Sequence, residues 1–203
     1  MKVLLINGSP KKNGNTYLAL KECAGEIEKY GIGTEIFYIG NAPVHGCMSC
    51  NACHRTGACV LTDDILPELV AKMKEADGII VGSPTYYGGP NGALCALLDR
   101  AFYSSSGAWR SRPAAAVTVC RRGGATATLD RLNKYFTLNE MPLITSEYWN
   151  IIHGNAPGEV LADPEGLQTM RALGKNMAYA VRNLPASGCP ALGEERVWTN
   201  FIR

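Results

Sequence analysis

The sequence predicts a doubly wound α/β domain, with five parallel strands in one sheet and helices on both faces. Three observations carry that prediction. Short apolar runs alternate with stretches of helical periodicity along most of the chain. The runs lack the in–out alternation of half-buried strands, as expected where both faces of a sheet are covered. Each run also breaks into a cluster of turn, amide or basic residues, while the connections into the next strand are short and plain. In such a sheet, with its right-handed crossovers, ligands bind beyond the carboxyl ends of the strands.

The first run is Lys2–Ile6, followed by Asn7-Gly8-Ser9-Pro10 and an amphipathic helix over Thr16–Tyr30, its pattern starting near Asn15. Gly31 and Gly33 end that helix, and Thr34–Ile39 is the second strand. Gly40–Thr62 shows neither period and holds four cysteines, and a loop of that length inside a compact domain is usually functional or disordered. Asp63 or Asp64 can cap a helix running to about Glu75, with Pro67 tolerated in its first turn. Gly78–Gly82 is the third strand; Ser83–Pro90 is a turn-rich loop with two tyrosines, and a helix covers Gly92–Tyr103. Ala114–Cys120 is the fourth strand, ending in Arg121-Arg122-Gly123-Gly124, with a helix over Thr126–Phe136. Leu143–Tyr148 reads as the fifth strand, Trp149–Gly158 as its loop, and Glu165–Leu184 as the last helix. The segment 185–203 is an aperiodic tail.

Composition narrows the class. A chain of 203 residues with no repeat or linker fits one domain, with 44–62 as its cysteine-rich loop. Lys plus Arg number 20 against 18 Asp plus Glu, so no basic field points to nucleic acid and no acidic surface to a small electron shuttle. No apolar run reaches the roughly 18 residues of a membrane span, and the N-terminus enters a strand at once, so a cytoplasmic location is expected. Eight cysteines then argue for metal or redox chemistry over disulfides. Cys23, Cys95 and Cys120 fall within regular elements and read as core residues.

Three segments carry chemistry. The strand–loop–helix over Met1–Tyr17 is an anion site, because the first N–H groups of a helix lack internal partners and its dipole favours negative charge. The loop is neither GxxxxGK[ST] nor GxGxxG; Ser9, Lys11, Asn13, Asn15 and Thr16 suit a terminal monophosphate. One strand away, Pro84, Thr85, Tyr86, Tyr87, Gly88 and Gly89 offer open backbone amides and aromatic cover to a flat heterocycle. Together the two loops favour flavin mononucleotide over a capped turn and a packed surface loop, and Gly123 and Gly124 give a third close backbone approach. The third segment is Cys47, Cys50, Cys53 and Cys59, a C-x2-C-x2-C-x5-C run of four thiols in thirteen residues. It fits a four-iron cluster, a packed loop of free thiols, or zinc with His45 or His54 entering a Cys3His set, in that order. His153, Tyr148 and Trp149 stand as acceptor-pocket residues or as core and capping residues at a strand end.

GSPKKNGNT (Gly8–Thr16), SPTYYGG (Ser83–Gly89) and Leu97-Leu98-Asp99-Arg100 resemble the NAD(P)H-dependent FMN reductase group of the flavodoxin-like superfamily. The cysteine run is similar to that of its iron–sulfur flavoproteins, and the RRGG and SEYWNIIHG segments extend the likeness over most of the chain. The resemblance implies a flavodoxin-like strand order 2-1-3-4-5, bound FMN, NAD(P)H as donor, and a [4Fe–4S] cluster on Cys47, Cys50, Cys53 and Cys59. It further implies a homodimer or homotetramer, and a small-molecule acceptor or a ferredoxin-like redox protein as partner. The alternative is a non-enzymatic flavin carrier or redox sensor with a cluster-free thiol loop.

Overall fold

The computed structural model describes residues 1–105, 107–184, 194, 195, 197 and 199. The apolar tail residues Trp198, Phe201 and Ile202, and Cys189, lie outside the described residues. Five strands form one parallel sheet in the order β2-β1-β3-β4-β5. They are β1 (Lys2–Asn7), β2 (Gly33–Tyr38), β3 (Gly78–Pro84), β4 (Ala114–Cys120) and β5 (Ile151–His153). The helices are α1 (Asn15–Glu28), α2 (Cys53–Thr56), α3 (Leu66–Glu75), α4 (Gly92–Ser104), α5 (Ala125–Leu138) and α6 (Pro164–Asn183).

The unbroken apolar runs reflect burial on both faces. In β1, Leu4 and Ile6 pack with α3, α4 and α5, while Val3 and Leu5 pack with α1 and α6. β3 divides the same way, Ile79 and Val81 to one core and Ile80 to the other. Each such fully buried side chain contributes about 1.5–3 kcal/mol, so the central strands are fixed by period-2 partition between two apolar layers. Gly8 lets β1 enter its loop beside β3: a Cβ there would lie 2.7 Å from the Gly82 carbonyl and 2.4 Å from Leu94.

The fifth strand departs from the sequence expectation. Leu143 makes only an isolated bridge to Ala114, and regular pairing starts at Ile151, opposite Thr118. The cause is Asn150, buried beside β4, whose Nδ2 donates to the Ala116 carbonyl at 3.0 Å and whose carbonyl accepts the Thr118 N–H at 3.0 Å. The Ser146 hydroxyl donates to Asn150 Oδ1 at 2.8 Å. A side chain thus occupies the ladder position a strand residue would fill, and Tyr148 and Trp149 are turned out to 60% and 56% exposure. Two smaller differences concern the cysteine loop, which contains the one-turn helix α2 ended by Gly57 in a left-handed conformation, and α3, which begins at Leu66 with its N–H donating to Asp64 Oδ1 at 3.0 Å.

Candidate functional site

The loops after β1, β3, β4 and β5 meet around a cleft of about 350 Å³. Asn7, fully buried at the end of β1, builds the first loop from inside. Its Oδ1 accepts the Ser9 N–H at 3.1 Å and its Nδ2 donates to the Lys12 carbonyl at 3.0 Å. Ser9 Oγ accepts the Lys11 N–H at 3.1 Å, and the Tyr38 hydroxyl donates to the Pro10 carbonyl at 2.7 Å. The loop delivers the chain into α1 through Gly14, which offers no side-chain cap, and the first turn of α1 carries no acidic residue. The N-terminal N–H groups of a long helix therefore face the cleft without a counter-charge from their own turn.

Ser9, Lys11, Asn15 and Thr16 line this cleft, as do Pro84, Thr85 and Tyr86. Asn13 is exposed and not on its wall. Asn15 is committed to protein partners: Nδ2 donates to the Ala156 carbonyl at 2.9 Å, and Oδ1 accepts the Gly158 N–H at 2.8 Å. That pair draws the loop after β5 over the start of α1, and Gly154 allows the approach, since a Cβ there would lie 3.1 Å from Asn15 Nδ2. Opposite, Thr85 Oγ1 is buried with no hydrogen-bond partner. An orphaned hydroxyl of this kind carries a desolvation cost that a bound polar group relieves.

Tyr86 to Gly89 close a two-residue hairpin, with Tyr86 N–H to Gly89 carbonyl at 2.8 Å and Gly89 N–H to Tyr86 carbonyl at 2.9 Å. Tyr87 at φ 51° and Gly88 at φ 73° take the two left-handed positions of this turn. Tyr87 is held fully exposed, a strained position for an aromatic residue. Gly124, at φ 85°, brings the β4 loop against this hairpin, where a Cβ would stand 3.0 Å from Gly88 Cα. Its close approach is thus to the neighbouring loop. Gly123 and Gly124 line an adjoining open groove of about 450 Å³, shared with Arg122, Tyr148, Trp149 and His153. The Tyr148 and Trp149 rings lie 5.1 Å apart there, so they are wall residues and not core. Capping of α6 falls to Asp163, which accepts from the Gly166 N–H at 2.9 Å and the His153 N–H at 2.8 Å. Burial would raise its carboxyl, but these donors outweigh it and hold it below the ordinary value.

The second candidate centre is the cysteine loop. Cys47, Cys50, Cys53 and Cys59 are all free and line one hollow against α4. Among the described residues no three His, Cys, Asp or Glu side chains gather closely enough to hold a single metal ion. The four cysteines line that common hollow, and four thiols in one loop have the donor chemistry that a four-iron group would need. His54 packs on the Tyr103 ring at 5.2 Å and His45 Nε2 lies 3.3 Å from Asp63. Sequence reasoning missed what holds the loop: Arg100, 1% exposed, pairs with Asp64, and the Tyr103 hydroxyl donates to Asn51 Oδ1 at 3.0 Å. The Asp64 carboxyl would be raised by burial, but bonds from Arg100 and the Leu66 and His45 N–H groups bring it below its usual value. The available signal was Arg100 itself, a charge on the apolar stripe of α4 between Leu97 and Ala101. Cys23 is fully buried, Cys95 half-buried and Cys120 buried on the cleft wall, and burial raises each thiol.

Residues 1–156 match the family described as NADPH-dependent FMN reductase. The chain belongs to that family. It is 38% identical over 190 residues to an iron–sulfur flavoprotein of Methanocaldococcus jannaschii, covering 90% of this chain and 98% of that one. An iron–sulfur flavoprotein of Archaeoglobus fulgidus is 33% identical over 204 residues, covering 92% and 100%. In three dimensions the fold is similar to RosB, with a TM-score of 0.72 at 15% identity over 90% of this chain and 79% of that one. It also resembles an archaeal flavodoxin, with a TM-score of 0.61 at 16% identity over 90% and 99%. This member of the FMN reductase family is accordingly a flavin-dependent oxidoreductase with a flavodoxin-like sheet. Among the described residues no helix is long and apolar enough to cross a membrane.

Proposed function

We propose that the protein is an FMN-dependent NAD(P)H oxidoreductase whose cysteine loop carries a [4Fe–4S] cluster that hands electrons on. The observation that carries the flavin part is one cleft lined both by the uncapped start of α1 and by Thr85, whose hydroxyl is buried without a protein partner. Ser9, Lys11 and Thr16, with the first N–H groups of α1, would hold the phosphate. Asn15 would serve by fixing the loop that closes over it, and Asn13 would lend a polar group from the rim. Pro84–Gly89 would orient the ring, with Thr85 bonding its polar edge and Tyr86 covering it. Gly124 would hold that hairpin in place, and Gly123 would line the adjoining groove.

When bound, FMN supplies hydride acceptance and single-electron release, and a four-iron cluster supplies single-electron transfer. The protein's part is to bind, orient and shield. The groove of Arg122, Tyr148, Trp149 and His153, lined also by Asp163 and Glu165, offers aromatic walls and charges of both signs beside the ring loop, suited to a nicotinamide or an aromatic acceptor. Cys47, Cys50, Cys53 and Cys59 would bind the cluster, and Cys47 and Cys50 are exposed, so a small-molecule acceptor or a ferredoxin-like redox protein can approach it. We take the chain as one cytoplasmic FMN-binding domain that self-associates as a homodimer or homotetramer.

Anaerobic purification with a visible spectrum and assays for FMN, iron, sulfide and zinc tests this directly. Stoichiometric FMN, about four irons per chain and steady NAD(P)H oxidation are expected, with Cys50→Ser bleaching the cluster absorbance and leaving FMN bound. Protein that takes up no flavin, or that fails to form a cluster on anaerobic reconstitution, would overturn the corresponding half. Sedimentation showing a clean monomer with FMN bound would overturn the assembly.

A further inference from the structure

We infer that Arg100 is the positioning residue of the cysteine loop, fixing Cys59 and donating a hydrogen bond to its sulfur when Cys59 serves as a cluster ligand. The inference rests on the cluster reading for its redox consequence, but its geometry is independent of it. Arg100 lies on α4 with its side chain almost wholly buried. A guanidinium in that position is costly unless its donors are met. Its Nε–H donates to Cys59 Sγ at 3.4 Å, Nη1 to Asp64 and to the His45 carbonyl at 3.2 Å, and Nη2 to the Leu61 carbonyl at 2.5 Å. Every one of these bonds lands between residues 45 and 64, the segment that carries all four cysteines. Tyr103, one turn further along α4, reaches the same segment through Asn51.

Anchoring a loop needs only the bonds to carbonyls and carboxylate. The Nε–H bond to sulfur is additional, and a thiol is a weak acceptor while a ligand thiolate is a strong one. Asp64 balances the arginine's charge, so the effect left on Cys59 is local and directional. Hydrogen bonds to the sulfurs of a cluster stabilise its reduced, more negative state and set its potential. Lysine does not substitute here: one ammonium cannot reach a carboxylate, two carbonyls and a sulfur together.

Arg100→Lys and Arg100→Gln test this in the full chain with FMN bound. Lysine keeps the counter-charge for Asp64 and is the variant to use if glutamine prevents folding. In the anaerobically reconstituted protein, redox titration should show the cluster about tenfold harder to reduce, a fall of about 59 mV for a one-electron couple, with the flavin potential unchanged. In cluster-free protein, iodoacetamide labelling read by peptide mass spectrometry should rise several-fold at Cys59 and stay constant at Cys47 and Cys50. An unchanged potential with full cluster content overturns the hydrogen-bonding role. Labelling that is unchanged overturns the positioning role, and labelling that rises equally at all four cysteines overturns a role specific to Cys59. If the wild type takes no cluster, the cluster reading fails and the labelling result alone decides on Arg100. If only the variants lose the cluster, the labelling result again decides.

Discussion

Replacing Thr85 by valine separates the two states of the cleft. Thr85 Oγ1 is buried without a partner among the protein's own groups, and such a group costs about 1–3 kcal/mol unless a ligand meets it. Thr85 as a residue is half-buried, so the lower part of that range applies. Valine keeps the branched shape and removes the orphan, and the flavin-free protein should gain about 1–2 kcal/mol, or about 2–8 °C in Tm for a chain of this size. In the flavin-bound protein the hydroxyl has a partner, and losing that bond should cost about 0.5–1.5 kcal/mol. Closing the cycle, affinity falls by the sum, about 1.5–3.5 kcal/mol, which is roughly 10- to 400-fold. Thermal melts of the stripped protein and fluorescence titration with FMN read the two arms. Ser105→Ala is the control: its Oγ is also buried and unpartnered but is not on the cleft wall, so it should raise stability and leave FMN affinity alone. A Thr85→Val protein with no gain in Tm and unchanged FMN affinity would refute the assignment of this hydroxyl to the ligand.

Other perturbations test the frame around the site. Asn15→Ala removes the bonds to Ala156 and Gly158 and should cost about 1–2 kcal/mol, with faster hydrogen exchange across 154–158 and weaker FMN retention; unchanged exchange there would count against the tether. Gly8→Ala places a methyl 2.7 Å from the Gly82 carbonyl and should destabilise by about 1–3 kcal/mol in urea melts, a neutral result showing that β1 and β3 can shift apart. The Asp64 carboxyl is held below its ordinary 3.8 by the donors around it, so its stabilisation is complete above that pH and is lost as pH falls through the lower folded value. Wild-type urea midpoints should therefore fall more steeply below about pH 4 than those of Asp64→Asn; parallel curves would show that the pair with Arg100 carries no such linkage.

Much of this protein is legible from the chain alone, for a physical reason. The runs in β1, β3 and β4 are buried on both faces, so their burial is written into every residue and needs no knowledge of partners. The loops after β1 and β3 carry their chemistry in contiguous residues, and Ser9, Lys11, Thr16, Thr85 and Tyr86 do meet in one cleft. The density of four cysteines likewise survives in the structure as four thiols around one hollow.

What tertiary structure alone decided depends on groups far apart in sequence. Leu143–Tyr148 has the composition of a strand, but Asn150 bonds to Ala116, 34 positions away, and moves the pairing to Ile151. Asn15 looks like a phosphate partner locally, yet its amide is taken by a loop 141 and 143 positions on. Arg100 stands on the apolar stripe of α4, but which groups answer it is set only when Cys59, Leu61 and Asp64 fold over it from 36 to 41 positions away. Local sequence encodes which groups want burial or an anion. Which buried polar group answers which is settled only when the sheet brings distant loops to one end, because a hydrogen bond depends on position in space and not along the chain.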